Sequence, residues 1–164
     1  MEIERKFLVT NDSYKQMAAA RYHIVQGYIS REKTGTVRIR ITDDRAFLTI
    51  KGKPAEGHFA RFEWEKKIDV KEAEELMKLC QGTIIDKTRW IVPITDSQIK
   101  VSEFQGFQLS KAHTLKWEVD EFHGKYEGLV VAEIELEHED QSFDKPNFIG
   151  EEVTSDSRYY NANM

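Results

Sequence analysis

The chain has 164 residues, 32% of them charged, and a net charge of −5 at pH 7. This length predicts one globular domain, 1–164, with a sizeable core, and the acidic balance argues against a protein that binds duplex nucleic acid. Cys80 is the only cysteine, which excludes an internal disulfide. No apolar run reaches the length of a membrane helix, and the acidic opening of the chain is not that of a signal peptide. We therefore expect a cytoplasmic protein.

Eight segments alternate apolar and polar residues with the period of two that is typical of β-strands. They are 1–9, 22–30, 36–42, 46–52, 59–68, 83–92, 115–122 and 129–137. The segment 98–113 holds either one more strand or an inserted loop.

Two helices are predicted between these strands. The first follows a capping Asn11 or Asp12 and runs to Arg21 through an alanine run. The second begins after Asp69, runs through Gln81 and ends at Gly82.

One face of most of the strands is ionic, and its charges are sorted by sign. The acidic pairs are Glu2 with Glu4 and Glu133 with Glu135, and the basic pairs are Arg38 with Arg40 and Lys87 with Arg89. The solvent-exposed face of an ordinary antiparallel sheet would explain the charges of any single strand. Such a face, however, more often mixes positive and negative side chains within one strand. Alternate carboxylates on one strand lie roughly 7 Å apart, which lets them share a hydrated divalent cation.

An eight-stranded sheet can close into a barrel and so remove its edges. Charges that point inward must then be hydrated and paired, because each unpaired buried ion costs several kcal/mol. Arginine and lysine bind phosphate oxygens, and carboxylates bind Mg²⁺ or Mn²⁺. We therefore expect a mainly β (α+β) fold, namely an eight-stranded antiparallel closed β-barrel with a few helices packed outside. The barrel is expected to bind a polyanion that is chelated by divalent metal ions.

A series of short motifs resembles the CYTH, or triphosphate tunnel metalloenzyme, superfamily, and in particular its short single-domain bacterial inorganic triphosphatases. The motifs are E-x-E-x-K at 2–6, V-Q-G-Y at 25–28, V-R-I-R at 37–40, L-T-I-K at 48–51, R-F-E-W-E at 61–65, D-K-T-R at 86–89, W-E-V-D at 117–120, A-E-I-E at 132–135 and G-E-E-V-T at 150–154. Segment 98–113 is longer than the usual connection in this family, and it could cover one tunnel mouth or alter specificity.

The resemblance implies a triphosphate tunnel, Mg²⁺ or Mn²⁺, and a role for each charged position. The implied metal ligands are Glu2, Glu4, Glu63, Asp120, Glu133 and Glu135, with Glu118 or Glu152 as further candidates. The implied phosphate-binding residues are Lys6, Arg38, Arg40, Lys51, Arg61, Lys87 and Arg89. The implied catalytic residues are Tyr28 and Lys87, at positions near the scissile phosphate, and Glu63, which would hold a second metal or the attacking water.

The expected reaction is metal-dependent hydrolysis of the terminal phosphate of tripolyphosphate or a related triphosphate. The general base is left open between a carboxylate, Tyr28 and Lys87. The alternatives are a class IV adenylate cyclase, a thiamine triphosphatase and a non-catalytic polyphosphate-binding module, the last less favoured because anion binding needs no metal ligands. The expected partner is a small polyanionic triphosphate, with no duplex nucleic acid and no membrane, and a homodimer is left open.

Overall fold

The computed structural model of the protein describes residues 3–54, 56, 60–94 and 115–164, in which nine strands form one antiparallel sheet. The strands are β1 Ile3–Val9, β2 Ala20–Glu32, β3 Gly35–Thr42, β4 Arg45–Gly52, β5 Glu63–Ile68, β6 Gln81–Pro93, β7 Lys116–Phe122, β8 Val130–Leu136 and β9 Ile149–Glu152. The helices are α1 Tyr14–Met17 and α2 Val70–Met77, with 3₁₀ turns at Gly124–Tyr126, Ser157–Tyr159 and Asn161–Asn163.

The sheet order is β5-β4-β3-β2-β6-β7-β8-β1-β9. The predicted mainly antiparallel β fold is confirmed, and each predicted strand overlaps an observed one. Strand β9 was not predicted. It is four residues long and pairs with β1 at the edge of the sheet, with Phe7 opposite Glu152 and Val9 opposite Ile149.

The prediction of a closed barrel is wrong in one respect. Among the described residues, no hydrogen-bonded ladder joins β5 to β9, so these two strands are the edges of the sheet. Both edges are short and charged, as Lys66 and Lys67 in β5 and Glu151 and Glu152 in β9 illustrate. Short, charged edge strands resist pairing with another strand, which gives a physical reason why the ladder stops there.

The outer face of the sheet carries the apolar core. One cluster covers the outer face of β1, β7 and β8, where Phe7 and Trp117 meet edge to face with ring centroids 5.5 Å apart. Tyr14 of α1 and Phe148 belong to the same cluster, and their ring centroids lie 5.9 Å apart. A second cluster packs Ala73 of α2 on the outer face of β3 and β4. The expected placement of the helices outside the sheet is therefore confirmed.

The first helix is much shorter than predicted, because it ends at Met17 and Ala18 is already extended. The amide of Ala19 donates to the carbonyl of Ile91, and Ala20 pairs with the same residue of β6. Alanine favours a helix by only a few tenths of a kcal/mol per residue over most residues. Pairing with β6 therefore decides the conformation of the alanine run.

The second helix begins where predicted, since the Asp69 carboxylate accepts a hydrogen bond from the amide of Lys71 at 2.8 Å. It ends at Met77 and not at Gln81, because Gln81 pairs with Tyr28 and already belongs to β6. Gly82 does not end the helix but lies inside β6, with a φ of +74° that favours glycine. None of the described helices is long and apolar enough to span a membrane.

The attachment of β9 to β1 can be tested at Gly150. A Cβ atom there would lie 2.8 Å from Cγ2 of Thr10 and 3.2 Å from the carbonyl oxygen of Leu8. We expect Gly150→Ala to lower the free energy of unfolding by about 1–3 kcal/mol, as overpacking usually does. Urea denaturation of the purified variant measures this loss.

Gly52→Ala is the matched control, because its nearest neighbour is Cβ of Phe62 at an ordinary 3.6 Å. The control should keep the stability of the parent protein. Equal stability of Gly150→Ala and the parent protein would mean that β9 does not pack on β1 as described.

Candidate active site

The ionic faces of eight strands line one cavity of about 720 Å³. Its walls include Glu4, Lys6, Tyr28, Arg38, Arg40, Thr49, Lys51, Arg61, Glu63, Glu65, Arg89, Glu118, Glu133 and Glu135. Strands β3 and β4 are far from β8 and β1 in the sheet order, yet all four line this cavity. The sheet is therefore strongly curved, and its concave face brings together nearly all of the residues that the sequence predicted.

Two predicted residues lie just behind the cavity wall in a buried ion network. The ammonium of Lys87 lies 2.7 Å from Oδ2 of Asp120, and both side chains are almost completely buried. Arg89 donates from Nε to Oδ1 of Asp120 at 2.7 Å and from Nη2 to Oδ2 at 2.8 Å. Its remaining nitrogen, Nη1, donates to Glu118 at 3.1 Å. Asp120 thus holds two cations, one of which lines the cavity.

Burial and pairing act in opposite directions on this network. Burial lowers the pKa of Lys87 to about 7, although Asp120 acts to raise it. Burial alone would raise the pKa of Asp120, but Arg89 and Lys87 hold that pKa below its usual range. The carboxylate therefore stays ionised, and Lys87 is a lysine that can exchange a proton near neutral pH.

A second buried pair joins β1 to β8. The ammonium of Lys6 lies 3.3 Å from Oε1 of Glu133, and each side chain is 9% exposed. Burial alone would raise the pKa of Glu133, but Lys6 and Arg89 hold it well below its usual range. Lys6 also donates to the carbonyl of Tyr159 at 2.8 Å, and its ammonium lies 5.7 Å from the ring of Tyr160. The C-terminal segment therefore contacts a predicted phosphate-binding residue.

The two arginines of β3 donate their hydrogen bonds to neutral groups, and Arg38 also lies 4.0 Å from the Glu65 carboxylate. Nη2 of Arg38 donates to Oγ1 of Thr49 at 3.2 Å, and the Thr49 hydroxyl donates onward to Glu65. Nε of Arg40 donates to Oε1 of Gln26 at 2.8 Å. Burial and the like charges of Arg38 and Arg89 lower the pKa of Arg40 to about 9, so it is charged at neutral pH.

Most carboxylates of the cavity lie on β1, β7 and β8, and Glu63 and Glu65 lie on β5. Glu4 lies opposite Glu135 in the β1–β8 ladder, and Glu118 lies opposite Glu133 in the β7–β8 ladder. No three acidic, histidine or cysteine side chains in the described part of the chain form a ready metal cluster. Mg²⁺ commonly uses one or two carboxylates with waters and substrate phosphates, so this set of hard oxygen donors fits such an ion.

The remaining predicted residues divide into cavity residues and one that cannot be placed. Lys51 lies opposite Glu63 in the β4–β5 ladder, and both line the cavity together with Arg61. Tyr28 lines it from β2 and is 5% exposed. Glu2 lies outside the described residues, as does segment 98–113.

Glu152, the further candidate for a metal ligand, is not part of the cavity wall. It accepts two hydrogen bonds from the guanidinium of Arg5, which belongs to the outer face of β1. The pair fastens β9 to β1.

Several cavity residues had no sequence signal that marked them as part of a site. Arg31 of β2 lines the cavity, and its Nη1 donates to the carbonyls of Ala162 and Met164. Residues 160–163 line the cavity as well, because Met164 is anchored in an apolar cluster around Phe122. Gln26 does not line the cavity but is fully buried on the same face of β2 as Tyr28, and only the period-two pattern of β2 could have indicated it.

The family follows from the similarity of the chain to known proteins. The CYTH domain matches residues 1–163. The chain belongs to the CYTH domain family. Membership of this family implies a divalent metal ion, which agrees with the carboxylates of the cavity.

Two relatives of this CYTH domain are named inorganic triphosphatase. The protein from Acetivibrio thermocellus is 42% identical over 164 residues, which cover 99% of this chain and 92% of that one. The protein from Nitrosomonas europaea is 33% identical, with 98% of this chain and 93% of that one covered. A crystal structure of an inorganic triphosphatase superimposes with a TM-score of 0.62 at 30% identity, with 99% of this chain and 93% of that one covered.

The buried ion network of this CYTH domain can be tested at Asp120. We expect Asp120→Asn to lower the free energy of unfolding by about 3–5 kcal/mol, because two buried cations would lose their shared counterion. Urea denaturation at neutral pH measures this change. Asp140→Asn removes the same charge from a fully exposed site and should leave stability unchanged. Similar stability of both variants and the parent protein would contradict a buried network.

Proposed function

We propose that this protein hydrolyses the terminal phosphate of inorganic tripolyphosphate with the help of Mg²⁺ or Mn²⁺. The observation that carries the proposal is the sorting of charge in the cavity. Cations from β3, β4 and β6 and carboxylates from β1, β7 and β8 line the same space, with Lys6 of β1 and Glu63 and Glu65 of β5 as exceptions to the sorting. A chelated polyanion complements both sets at once, whereas a simple anion or a simple cation complements only one. The inorganic triphosphatase relatives support the same substrate class.

The cations bind and orient the substrate in this proposal. Arg38, Arg40 and Lys51 lie on adjacent strands and would contact successive phosphate groups. Lys6, Arg61 and Arg89 complete the phosphate-binding set that lines the cavity, and Lys87 would join it only if its buried pair with Asp120 opened. Because Arg89 already pairs with Asp120 and Glu118, its role would be mainly to keep that wall rigid and positive. Rigid positioning and charge stabilisation are the main contributions that a protein makes to phosphoryl transfer.

The carboxylates would hold the metal. Glu4, Glu133 and Glu135 line the cavity and are the first candidates, with Glu2 beside them in sequence. Glu63 lies on the other side of the cavity and is a candidate ligand of a second metal ion. Asp120 could be a ligand of that ion only if it gave up its present pairs with Lys87 and Arg89. When bound, the ion supplies positive charge beside the phosphoryl oxygens.

The attacking water would be oriented by Tyr28, Lys87 or Glu63. Tyr28 and Glu63 reach the cavity directly, and Lys87 lies behind its wall. Lys87 is fully buried and its ammonium group is paired with Asp120, so it could act on the water only after that pair opened. The location of the protein in the cytoplasm and its assembly as a homodimer stay predictions.

The choice of substrate is the first test of this function. We expect the protein with Mg²⁺ or Mn²⁺ to convert tripolyphosphate to pyrophosphate and phosphate faster than it cleaves ATP or thiamine triphosphate, because charged side chains from each of the strands β1 to β8 line the cavity. Ion chromatography and a phosphate assay measure the products, and EDTA should abolish them. Cyclic AMP formed from ATP, with little phosphate from tripolyphosphate, would instead establish a cyclase.

The two charge sets should respond differently to metal. Glu4→Gln and Glu133→Gln keep size but remove a hard anionic ligand, so the loss of activity should be partly relieved by more Mg²⁺ or Mn²⁺. Arg40→Ala should lower kcat/KM by about ten- to a hundred-fold, the effect of one charge-assisted hydrogen bond, with no relief by metal.

The measurement is kcat/KM against metal concentration for each variant, together with melting temperatures. A common loss of thermal stability with no difference in metal dependence would indicate an ordinary charged surface. Identical metal profiles for Glu4→Gln and Arg40→Ala would contradict the assignment of roles even if tripolyphosphate is cleaved.

A further inference from the structure

Gln26 is a buried polar side chain to which the proposed reaction assigns no role. It lies in β2 directly opposite Arg40 of β3 and is 0% exposed. Its Oε1 accepts the hydrogen bond from Nε of Arg40 at 2.8 Å. Because an arginine Nε–H can only donate, the oxygen of the amide must be the atom that faces it. The amide nitrogen, Nε2, has no hydrogen-bond partner in the described part of the chain.

The contact with Gln26 leaves the outer edge of the Arg40 guanidinium uncommitted. Among the described residues, neither terminal nitrogen of Arg40 donates a hydrogen bond, although Arg40 lines the cavity. Arg89 differs, because all three of its nitrogens donate to Asp120 and Glu118. The two terminal N–H groups of an arginine form the planar fork that binds a phosphate through two parallel hydrogen bonds. Arg40 is therefore held by its inner nitrogen and presents its fork to the cavity.

The neutrality of Gln26 matters for this arrangement. A carboxylate at the same position would hold Nε equally well but would cancel the charge of Arg40. Arg40 already lies among the like charges of Arg38 and Arg89, so a counterion there would be favourable for folding alone. An amide fixes the guanidinium and leaves its positive charge for an incoming anion. A buried Nε2 without a partner is unfavourable for stability, which again points to a role other than stability.

We propose that Gln26 is a positioning residue that fixes the guanidinium of Arg40 through a neutral acceptor, so that its charged fork is preorganised for a substrate phosphate. This inference rests on the proposed function, since the anion it invokes is a phosphate of the triphosphate substrate. Preorganisation reduces the conformational freedom that Arg40 would otherwise lose on binding.

A double-mutant cycle tests the proposal. Gln26→Met keeps the approximate length of the side chain and removes the acceptor, and Gln26→Glu keeps its shape and adds a negative charge. Arg40→Lys keeps the positive charge but has neither the Nε donor nor the fork. The cycle compares the parent protein, Gln26→Met, Arg40→Lys and the double variant, with kcat and KM for tripolyphosphate measured separately.

We expect Gln26→Met to lower kcat/KM by roughly three- to ten-fold, the effect of one hydrogen bond, mainly through KM. In the Arg40→Lys background the same substitution should have less than about a two-fold effect, because the group that it positions is gone. Gln26→Glu should raise KM at least as much as Gln26→Met, since it neutralises Arg40. A purely structural Gln26 would lower activity equally in both backgrounds.

Ile39→Val is the matched control for stability. Ile39 precedes Arg40, is fully buried, and packs in the outer cluster with Ala46 and Ala73. Removing one methylene there should lower the melting temperature without any change in KM. A rise in KM for Ile39→Val as large as that for Gln26→Met would overturn the proposal, because KM would then follow stability alone.

A binding measurement separates this proposal from the proposed function. Calorimetry with an imido analogue of tripolyphosphate, which resists hydrolysis, gives the Kd for every member of the cycle. Coupling between Gln26 and Arg40 in Kd supports the positioning role, even if the parent protein cleaves no tripolyphosphate and the proposed hydrolysis fails. Hydrolysis by the parent protein, with independent effects of the two substitutions on both Kd and kcat/KM, would overturn the positioning role alone.

Discussion

The rest of the structure depends on one constraint, which is that a strongly charged concave face must pair or hydrate its charges. Asp120 illustrates the paired case, since Lys87 and Arg89 occupy both of its oxygens at 2.7–2.8 Å. An unpaired ion at that depth would cost several kcal/mol, and the observed register of β6 and β7, with Arg89 opposite Asp120, is one that pairs these charges. The apolar clusters on the outer face favour the same register, because a slip of one residue would turn their side chains to the concave face.

The same constraint divides the cations of the cavity into two kinds. Arg89 and Lys6 have carboxylate partners, so their charge is largely balanced within the protein. Arg40 is held instead by Gln26, which is neutral, and Arg38 donates to the neutral Thr49 with the Glu65 carboxylate 4.0 Å away. The β3 wall therefore keeps an excess of positive charge that a guest anion can balance, while the β7–β8 wall is already nearly balanced. This asymmetry gives a triphosphate a preferred wall in the cavity.

Sequence reasoning predicted the parts of this structure that local periodicity controls. The period of two in β3 and β8 places Arg38 and Glu133 on the concave face, and neither depends on a distant residue for that orientation. The predicted C-terminal end of the first helix was wrong, because the true end depends on a non-local contact, the pairing of Ala20 with Ile91. Strand β9 and the C-terminal segment were missed for the same reason, because their conformation comes from contacts with β1 and with Arg31 and not from their own pattern.

Among the described residues no hydrogen-bonded ladder joins β5 to β9, and the charge of the cavity gives a second physical reason beside the short, charged edges. A barrel with a dry, apolar lumen gains stability from closure, since closure removes its edges and buries more apolar surface. A cavity lined by Glu4, Lys51 and Glu63 gains less, because each charge would lose hydration as the wall closed. The balance favours a strongly curved sheet that leaves water in contact with its inner charges. Such a cavity can exchange that water for the oxygens of a polyphosphate, and charged walls that would weaken an ordinary core are what a triphosphate site requires.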